Sequence, residues 1–241
     1  MKLNKLLYKI VRIKNRGGVN MDEFVISSGH AKMVRGASGY IDEVDEARKV
    51  VPKVAEYLKE LDCKVHTFND DASKTQRDNI NTIVKYHDSK SRDLDVSVHF
   101  NAGTKEIGGT EVLYCTDGNK ALATKVSKAI SEALGIKDRG AKKRTDLGFL
   151  KGTAKPAILI EVCFVDTKSN TEAYKKNFDE CCKAIAETLS GKKLKEAVKP
   201  VETKNVVLHK VQVGAFSDEK NAVKLAEELK KKGYLTSIVK G

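Results

Sequence analysis

No apolar run in the chain is long enough for a transmembrane helix, which excludes a helical membrane span. No two cysteines stand in a CxxC pair. The five present (Cys63, Cys115, Cys163, Cys181 and Cys182) are odd in number and scattered, so neither a secreted disulfide framework nor a zinc knuckle is indicated. Cys63, Cys115 and Cys163 fall in apolar, strand-like runs and read as small core residues of a protein made in a reducing compartment. A helical HExxH pair of metal ligands is missing too. Residues 1–20 have no small-residue cleavage site, and Lys9, Arg12 and Lys14 break their apolar stretch, so they do not read as a signal peptide. No nucleic-acid-binding module is recognisable, and nucleic acid is not an expected partner.

What the chain does have is length for one good domain plus a small module, in 241 residues, and a net charge of +12. The charge is confined to the ends. Residues 1–20 carry six Lys/Arg and no acids, and residues 192–241 carry twelve Lys against six acids, so the middle is neutral overall. Basic appendages on a neutral body suit an anionic polymer or surface as partner. The organisation expected is a basic N-terminal extension at 1–20, a domain at 21–191, a Lys-rich linker with Pro200 at 192–205, and a small module at 206–241. Arg16-Gly17-Gly18 ahead of Met21 matches a purine-rich codon run of the ribosome-binding kind. The extension is therefore expected not to be translated naturally, with the true start at Met21.

Along the middle, strands alternate with helices. Phe24–Ser28 is a short strand ending in Gly29-His30. A helix follows from about Asp42, with Val44, Ala47, Val50, Val51, Val54 and Leu58 on one face and Pro52 as a point of kinking or shortening. Cys63–Phe68 alternates as a strand, and Ser73–His87 reads as a helix N-capped by Ser73. Asp95–Phe100 is a buried strand that stops at Asn101-Ala102-Gly103. Glu111–Cys115 is another strand, and Ala121–Leu134 a helix with Gly135 as C-cap. Residues 136–150 read as a basic loop. The nearly all-apolar run Pro156–Asp166 suits an interior strand of a parallel sheet, and a helix over 171–189 closes the domain. The class is α/β: a mostly parallel open sheet with helices on both faces. A small β-α-β unit follows, with strands at 206–213 and 234–239 around a helix at 221–232.

Four polar residues stand at strand ends or at the first helix start: His30, Glu43, His99 and Glu161. In an open α/β sheet such positions gather at the ligand-binding edge. Two imidazoles and a carboxylate form a zinc set with one position left open, and a second carboxylate beside it could serve as general base. Glu161 interrupts an apolar run, where a carboxylate is costly unless it is paired, protonated or metal-bound. Glu46, one helical turn beyond Glu43, could present its carboxylate to the same side.

Ser28-Gly29-His30, the acidic helix start at Glu43, Ser97-Val98-His99-Phe100-Asn101-Ala102 and Ile160-Glu161-Val162-Cys163-Phe164-Val165-Asp166 resemble the zinc-dependent N-acetylmuramoyl-L-alanine amidases. The type is amidase_3, and the endolysins of phages that infect Gram-positive bacteria are the nearest in pattern. The likeness covers residues 24–190 in order and spacing. It departs in having Gly29-His30-Ala31-Lys32 for Gly-His-Gly-Gly, and Ser97-Val98-His99 for Ser-Ile-His, both of which keep the ligand. It implies cleavage of the amide between muramic acid and L-alanine in peptidoglycan, one Zn2+ per chain on His30, Glu43 and His99, and Glu161 as catalytic base. Asn101, in the turn after His99, is the candidate substrate contact. The 136–150 loop would help shape the substrate groove.

Val211–Phe216, the helix after it and Gly233-Tyr234 resemble one repeat of the SPOR peptidoglycan-binding domain, so residues 206–241 read as a partial repeat. The expected partner is the Gram-positive cell wall, with its anionic polymers. The expected setting is the cytoplasm of a producing bacterium until lysis, as for a phage or prophage lysin. A zinc peptidase of the stem peptide and a non-catalytic wall-binding protein are the rival readings.

Overall fold

The structure, a computed structural model, describes residues 21–194, 211–234 and 236–239. The chain divides into two compact units between Lys195 and Glu196. The basic extension at 1–20 and most of the linker lie outside the described residues.

The first unit is built on a six-stranded sheet in the order β2-β1-β3-β6-β4-β5. The strands are β1 (Glu23–Ser28), β2 (Lys64–Phe68), β3 (Leu94–Asn101), β4 (Thr110–Tyr114), β5 (Asp138–Lys143) and β6 (Ala157–Phe164). All neighbours pair in parallel except β4 with β6. The helices are α1 (Glu43–Glu60), α2 (Gln76–Asp88), α3 (Lys120–Leu134), α4 (Gly148–Gly152), α5 (Lys168–Lys176) and α6 (Phe178–Ser190).

Period-two alternation on β3 sorts the two faces. Leu94, Val96, Val98 and Phe100 join the larger core with Val50, Val54 and Leu58 of α1, Val126 and Ile130 of α3, and Cys181 and Ile185 of α6. The other face carries a smaller core under α2 and α4, made of Ile83, Phe149 and Leu150 against Leu113, Ala157 and Leu159. Helices therefore cover both faces. Near the carboxyl end of α2 the contact with the sheet is polar. His87 is bonded through Nδ1 to Asp95 at 2.8 Å and through Nε2 to the Ser27 hydroxyl at 2.9 Å. Arg92 closes on Asp95 with Nε at 2.6 Å and Nη2 at 2.9 Å. A buried charge needs such partners, and this network fastens α2 to β1 and β3.

Several local expectations are corrected. α1 runs through Pro52, which lies exposed on its solvent side. α2 begins at Gln76 with Thr75 as N-cap, accepting from the Asp78 N–H at 3.1 Å. The Ser73 N–H is instead held by Asp70 in a turn at 3.0 Å. The stretch read as a basic loop contains β5 and α4. β5 is a polar edge strand that takes its order from pairing with β4 rather than from an apolar pattern of its own. The closing helix is two, α5 and α6, broken at Asn177. Gly135 ends α3 in the left-handed conformation at φ 67°, as a C-cap glycine does.

The opening of the expected linker is tied to the first unit. Lys192 Nζ reaches the Leu61 carbonyl and Asp22, each at 2.9 Å, and Leu194 packs on the core.

In the second unit α7 (Glu219–Lys231) forms, N-capped by Asp218, and buries none of its residues. The strands expected beside it are not formed at 211–213 or over 236–239, and residues 206–210 and 235 lie outside the described residues. A strand is stable only when paired, and one short β-α-β unit offers little apolar surface for burial.

Candidate metal centre and active site

The carboxyl ends of β1 and β3 and the amino end of α1 meet at one edge of the sheet. β1 runs directly into Gly29-His30, and the Gly29 N–H bonds the Val98 carbonyl of β3 at 2.9 Å. The absence of a side chain at Gly29 is required, since a Cβ there would lie 1.8 Å from His99 Nε2. α1 starts at this point because Asp42 accepts from the Val44 and Asp45 N–H groups at 3.0 and 3.3 Å, and that cap delivers Glu43 to the edge.

The three side chains converge. Glu43 Oε1 lies 2.9 Å from His99 Nδ1 and 3.4 Å from His30 Nε2. Backbone groups fix the carboxylate from behind: Phe100 N–H donates to Oε1 at 3.1 Å and Ala37 N–H to Oε2 at 2.6 Å. One ligand atom from each of His30, Glu43 and His99 falls within 4.8 Å of the others. Burial works to raise the Glu43 pKa, but the hydrogen bonds and charge of both histidines overcome it and hold the carboxyl well below its usual range. The set fits a divalent ion on its donors: two imidazoles, an ionised carboxylate held by the backbone, and a buried His30 Nδ1 that has no partner. Glu46 stands apart, with Oε1 on Lys49 at 2.8 Å and Oε2 receiving the Tyr174 hydroxyl at 3.1 Å.

Glu161 sits directly across from His99 in the β3–β6 register. Its Oε2 is buried without a hydrogen-bond partner. Burial chiefly, then the charges of Glu43 and Glu111, push its pKa up to about 8, against the pull of Arg144. This is a carboxyl poised near neutrality beside a three-ligand cluster.

Asn101 lies just beyond, past a register shift between His99 and Asn101. Its amide donates to Glu111 at 3.1 Å, and its oxygen accepts from the Ala102 N–H at 2.8 Å.

Glu111, Arg139 and Arg144 are the surroundings that sequence reasoning passed over. Glu111 pairs with Glu161 across β4–β6, and Arg139 binds it at 2.8 Å. The available signal was an acid at the head of the apolar run Val112–Tyr114, the same kind of signal that marks Glu161. The Ser27, His87 and Asp95 chain has the order of a nucleophilic triad, but all three are fully buried, so no substrate reaches them.

A mostly parallel α/β sheet with a two-histidine, one-carboxylate cluster and an uncompensated acid at its carboxyl edge defines the class: a hydrolase-like protein with a candidate metal centre. The family model of N-acetylmuramoyl-L-alanine amidases matches residues 24–190, and the chain belongs to that family. A SPOR-domain model matches residues 183–241.

The chain is 31% identical over 147 residues to the sporulation-specific N-acetylmuramoyl-L-alanine amidase of Bacillus subtilis, covering 59% of this chain and 54% of that protein. It is 31% identical over 161 residues to the endolysin of Bacillus phage SPP1, covering 63% of this chain and 58% of that protein. The chain spans about half the length of the curated relatives it matches. Among solved structures, the catalytic domain of the CD27L endolysin targeting Clostridia difficile superposes with a TM-score of 0.65 at 26% identity, over 72% of this chain and 99% of that one. Among the described residues no helix is long and apolar enough to cross a membrane.

Proposed function

We propose that the chain hydrolyses the amide between N-acetylmuramic acid and L-alanine in peptidoglycan, with one zinc ion held by His30, Glu43 and His99. When bound, zinc acidifies water and polarises a carbonyl. The chain's own groups do the rest. Glu161 takes a proton from the attacking water and returns it to the leaving nitrogen. Its desolvation and neighbouring acids raise its proton affinity, as that double duty needs. Glu43 stays ionised and keeps both imidazoles facing inward. Asn101, at the end of β3 and bonded to Glu111, orients substrate. The single observation that carries this reading is the register pairing of Glu161 with His99, beside the three-ligand cluster, within the matched family segment.

On the same reading residues 21–191 are the catalytic domain, 192–205 the linker and 206–241 a partial SPOR-like repeat that holds the Gram-positive wall and its anionic polymers. The likeness to two endolysins supports a phage or prophage lysin, kept in the producing cytoplasm until lysis.

Digestion of purified Gram-positive peptidoglycan by wild type and by Glu161→Gln, with metal content measured on both, tests this. New free L-alanine amino termini from wild type, about one zinc per chain in both, and at least a ~10²-fold loss in the variant are expected, the loss being the size a positioned acid-base group commands. Cleavage elsewhere in the stem peptide would make the chain a zinc peptidase. Absence of both metal and cleavage would make it a wall-binding protein.

A further inference from the structure

α7 carries an apolar stripe that the second unit leaves half open. Ala222, Leu225, Ala226 and Leu229 stand at i, i+3, i+4 and i+7, which is one face of a helix, and all four are half-buried. The unit covers part of that stripe itself. A Cβ at Gly214 would lie 3.6 Å from Leu225 Cδ2, and the Thr236 hydroxyl reaches the Ala226 carbonyl at 3.4 Å. Nearby, Val223 is 40% exposed and Phe216 46%. The 13 residues of α7 span about 20 Å, and a helix so short needs a packed face to be stable.

The charges beside the stripe are sorted by end. Asp218 and Glu219 stand at the amino end of α7, and Lys230 and Lys232 at its carboxyl end. Helical spacing puts Glu219 and Lys230 on one flank of the stripe, and Asp218 and Lys232 on the other. Laid antiparallel on a copy of itself, about a twofold axis between Leu225 and Ala226, α7 brings each Glu219 to Lys230 of the copy and each Asp218 to Lys232 of the copy. The same placement sets Ala222 against Leu229, small against large, and lets the two Leu225 side chains meet at the axis. The helix dipoles then run opposed, the favourable arrangement. A parallel pairing would put acid on acid and lysine on lysine. A uniformly anionic partner would meet Asp218 and Glu219 on this face. α7 therefore complements a copy of itself, and in one orientation only.

We infer that the open stripe of α7 is a self-association surface, through which two copies of this chain pair as an isologous, antiparallel helix dimer. Such pairing stands apart from the hydrolytic reading above. A contact about 20 Å long and one helix diameter wide, about 10 Å, falls well short of the ~800 Å² per partner of a standard interface. The pair therefore forms in the micromolar range or above and parts on dilution. Apolar contact along the stripe supplies the attraction, and the flanking charges set the orientation. Pairing joins two basic C-terminal segments in one particle. Attachment to an anionic polymer becomes bivalent and tightens without any new contact to that polymer.

The test is sedimentation of the full chain at low salt from about 5 to about 500 µM, with far-UV circular dichroism on the same samples. The mass is expected to rise from one chain toward two and stop there, with helix content rising alongside. Glu219→Lys and Lys230→Glu each turn two attractive contacts into repulsive ones, and each is expected to weaken pairing about tenfold. Mixed in equal amounts, the two variants regain both contacts across the pair, and association is expected to return to within about threefold of wild type. Leu225→Glu, at the centre of the stripe, is expected to leave single chains at every concentration. Should that substitution unfold α7, the mixing experiment decides. A wild type that stays one chain throughout, a mass that climbs past two, single charge variants that pair as well as wild type, or a mixture no stronger than its components would each overturn the dimer and leave the amidase reading in place.

Discussion

Glu161 is the base of the proposed reaction, and its buried, unpartnered carboxyl makes a prediction for stability as well. With the folded pKa near 8 and the unfolded value near 4.5, the folded metal-free protein holds a proton that the unfolded chain has lost across that window. Stability of the metal-free protein should therefore fall as pH rises from about 4.5 to about 8, and level off above. Glu161→Gln removes the titration, so its melting temperature in excess chelator should gain on wild type progressively across the same window. A constant difference at every pH would refute the assignment. The cysteines make a second prediction at this scale. Burial raises the thiols of Cys163, Cys181 and Cys182, all at 0% exposure, while Cys115 is only half-buried. Titration of the native protein with an aromatic disulfide should show one thiol reacting promptly, with the others appearing on denaturation. Glu161 was legible in the sequence because an acid inside an apolar strand is costly wherever the strand lies. Glu111 and Arg144 were not, because their influence on Glu161 depends on strand order, which one-dimensional pattern does not carry.

Elements are what bring these residues together, and the start of α1 does so for the metal set. Asp42 caps the helix, and the next residue is Glu43. Asp42→Ala should cost about 1 kcal/mol of stability, the usual worth of an N-cap, and should weaken zinc affinity, whereas Asp42→Asn, still a good cap, should preserve both. Equal zinc affinity in all three, read by competition with a chelating dye, would separate the cap from the site. Beneath α2, Asp95→Ala would leave the Arg92 guanidinium and His87 buried without their common partner. Breaking a buried pair this way costs about 3–5 kcal/mol, so the variant should unfold at markedly lower urea than wild type.

Elements with an apolar face were readable from the chain alone, among them α1, β3, β6 and α3, since their side-chain period announces them. β5 was not, because Asp138-Arg139-Gly140-Ala141-Lys142-Lys143 becomes a strand only through its partner. The break at Asn177 was hidden for a related reason: apolar residues continue at helical spacing on both sides of it. The contact of His87 with Ser27 joins residues 60 apart in sequence, and no local signal announces it.

At the scale of the whole molecule the two units differ in how they earn their structure. The first has a two-faced sheet and a core that includes Leu194. In the second, α7 has no buried residue, while Val211, Val213, Phe216, Tyr234, Ile238 and Val239 are all 46–83% exposed. A helix of that length whose apolar face (Ala222, Leu225, Ala226 and Leu229) is only half-buried is marginal in water. Removal of residues 196–241 should therefore shift the melting temperature of the first unit by less than about 2 °C, no more than the change that a 1 kcal/mol loss produces in a domain of this size. The charge acts differently. Residues 192–241 hold twelve lysines against six acids, and residues 1–20 hold six Lys/Arg and no acids, so the excess of +12 is borne by the two ends. Surface charges of this kind attract an anionic polymer through water and are screened over roughly 8 Å at physiological salt. If the C-terminal charge holds the wall, sedimentation with purified Gram-positive walls should weaken steeply as salt is raised, and should weaken again when 196–241 are removed, with turnover of a soluble muramoyl peptide unchanged by that removal. Wall binding indifferent to salt but lost on truncation would assign retention to the exposed apolar side chains of the second unit rather than to its lysines.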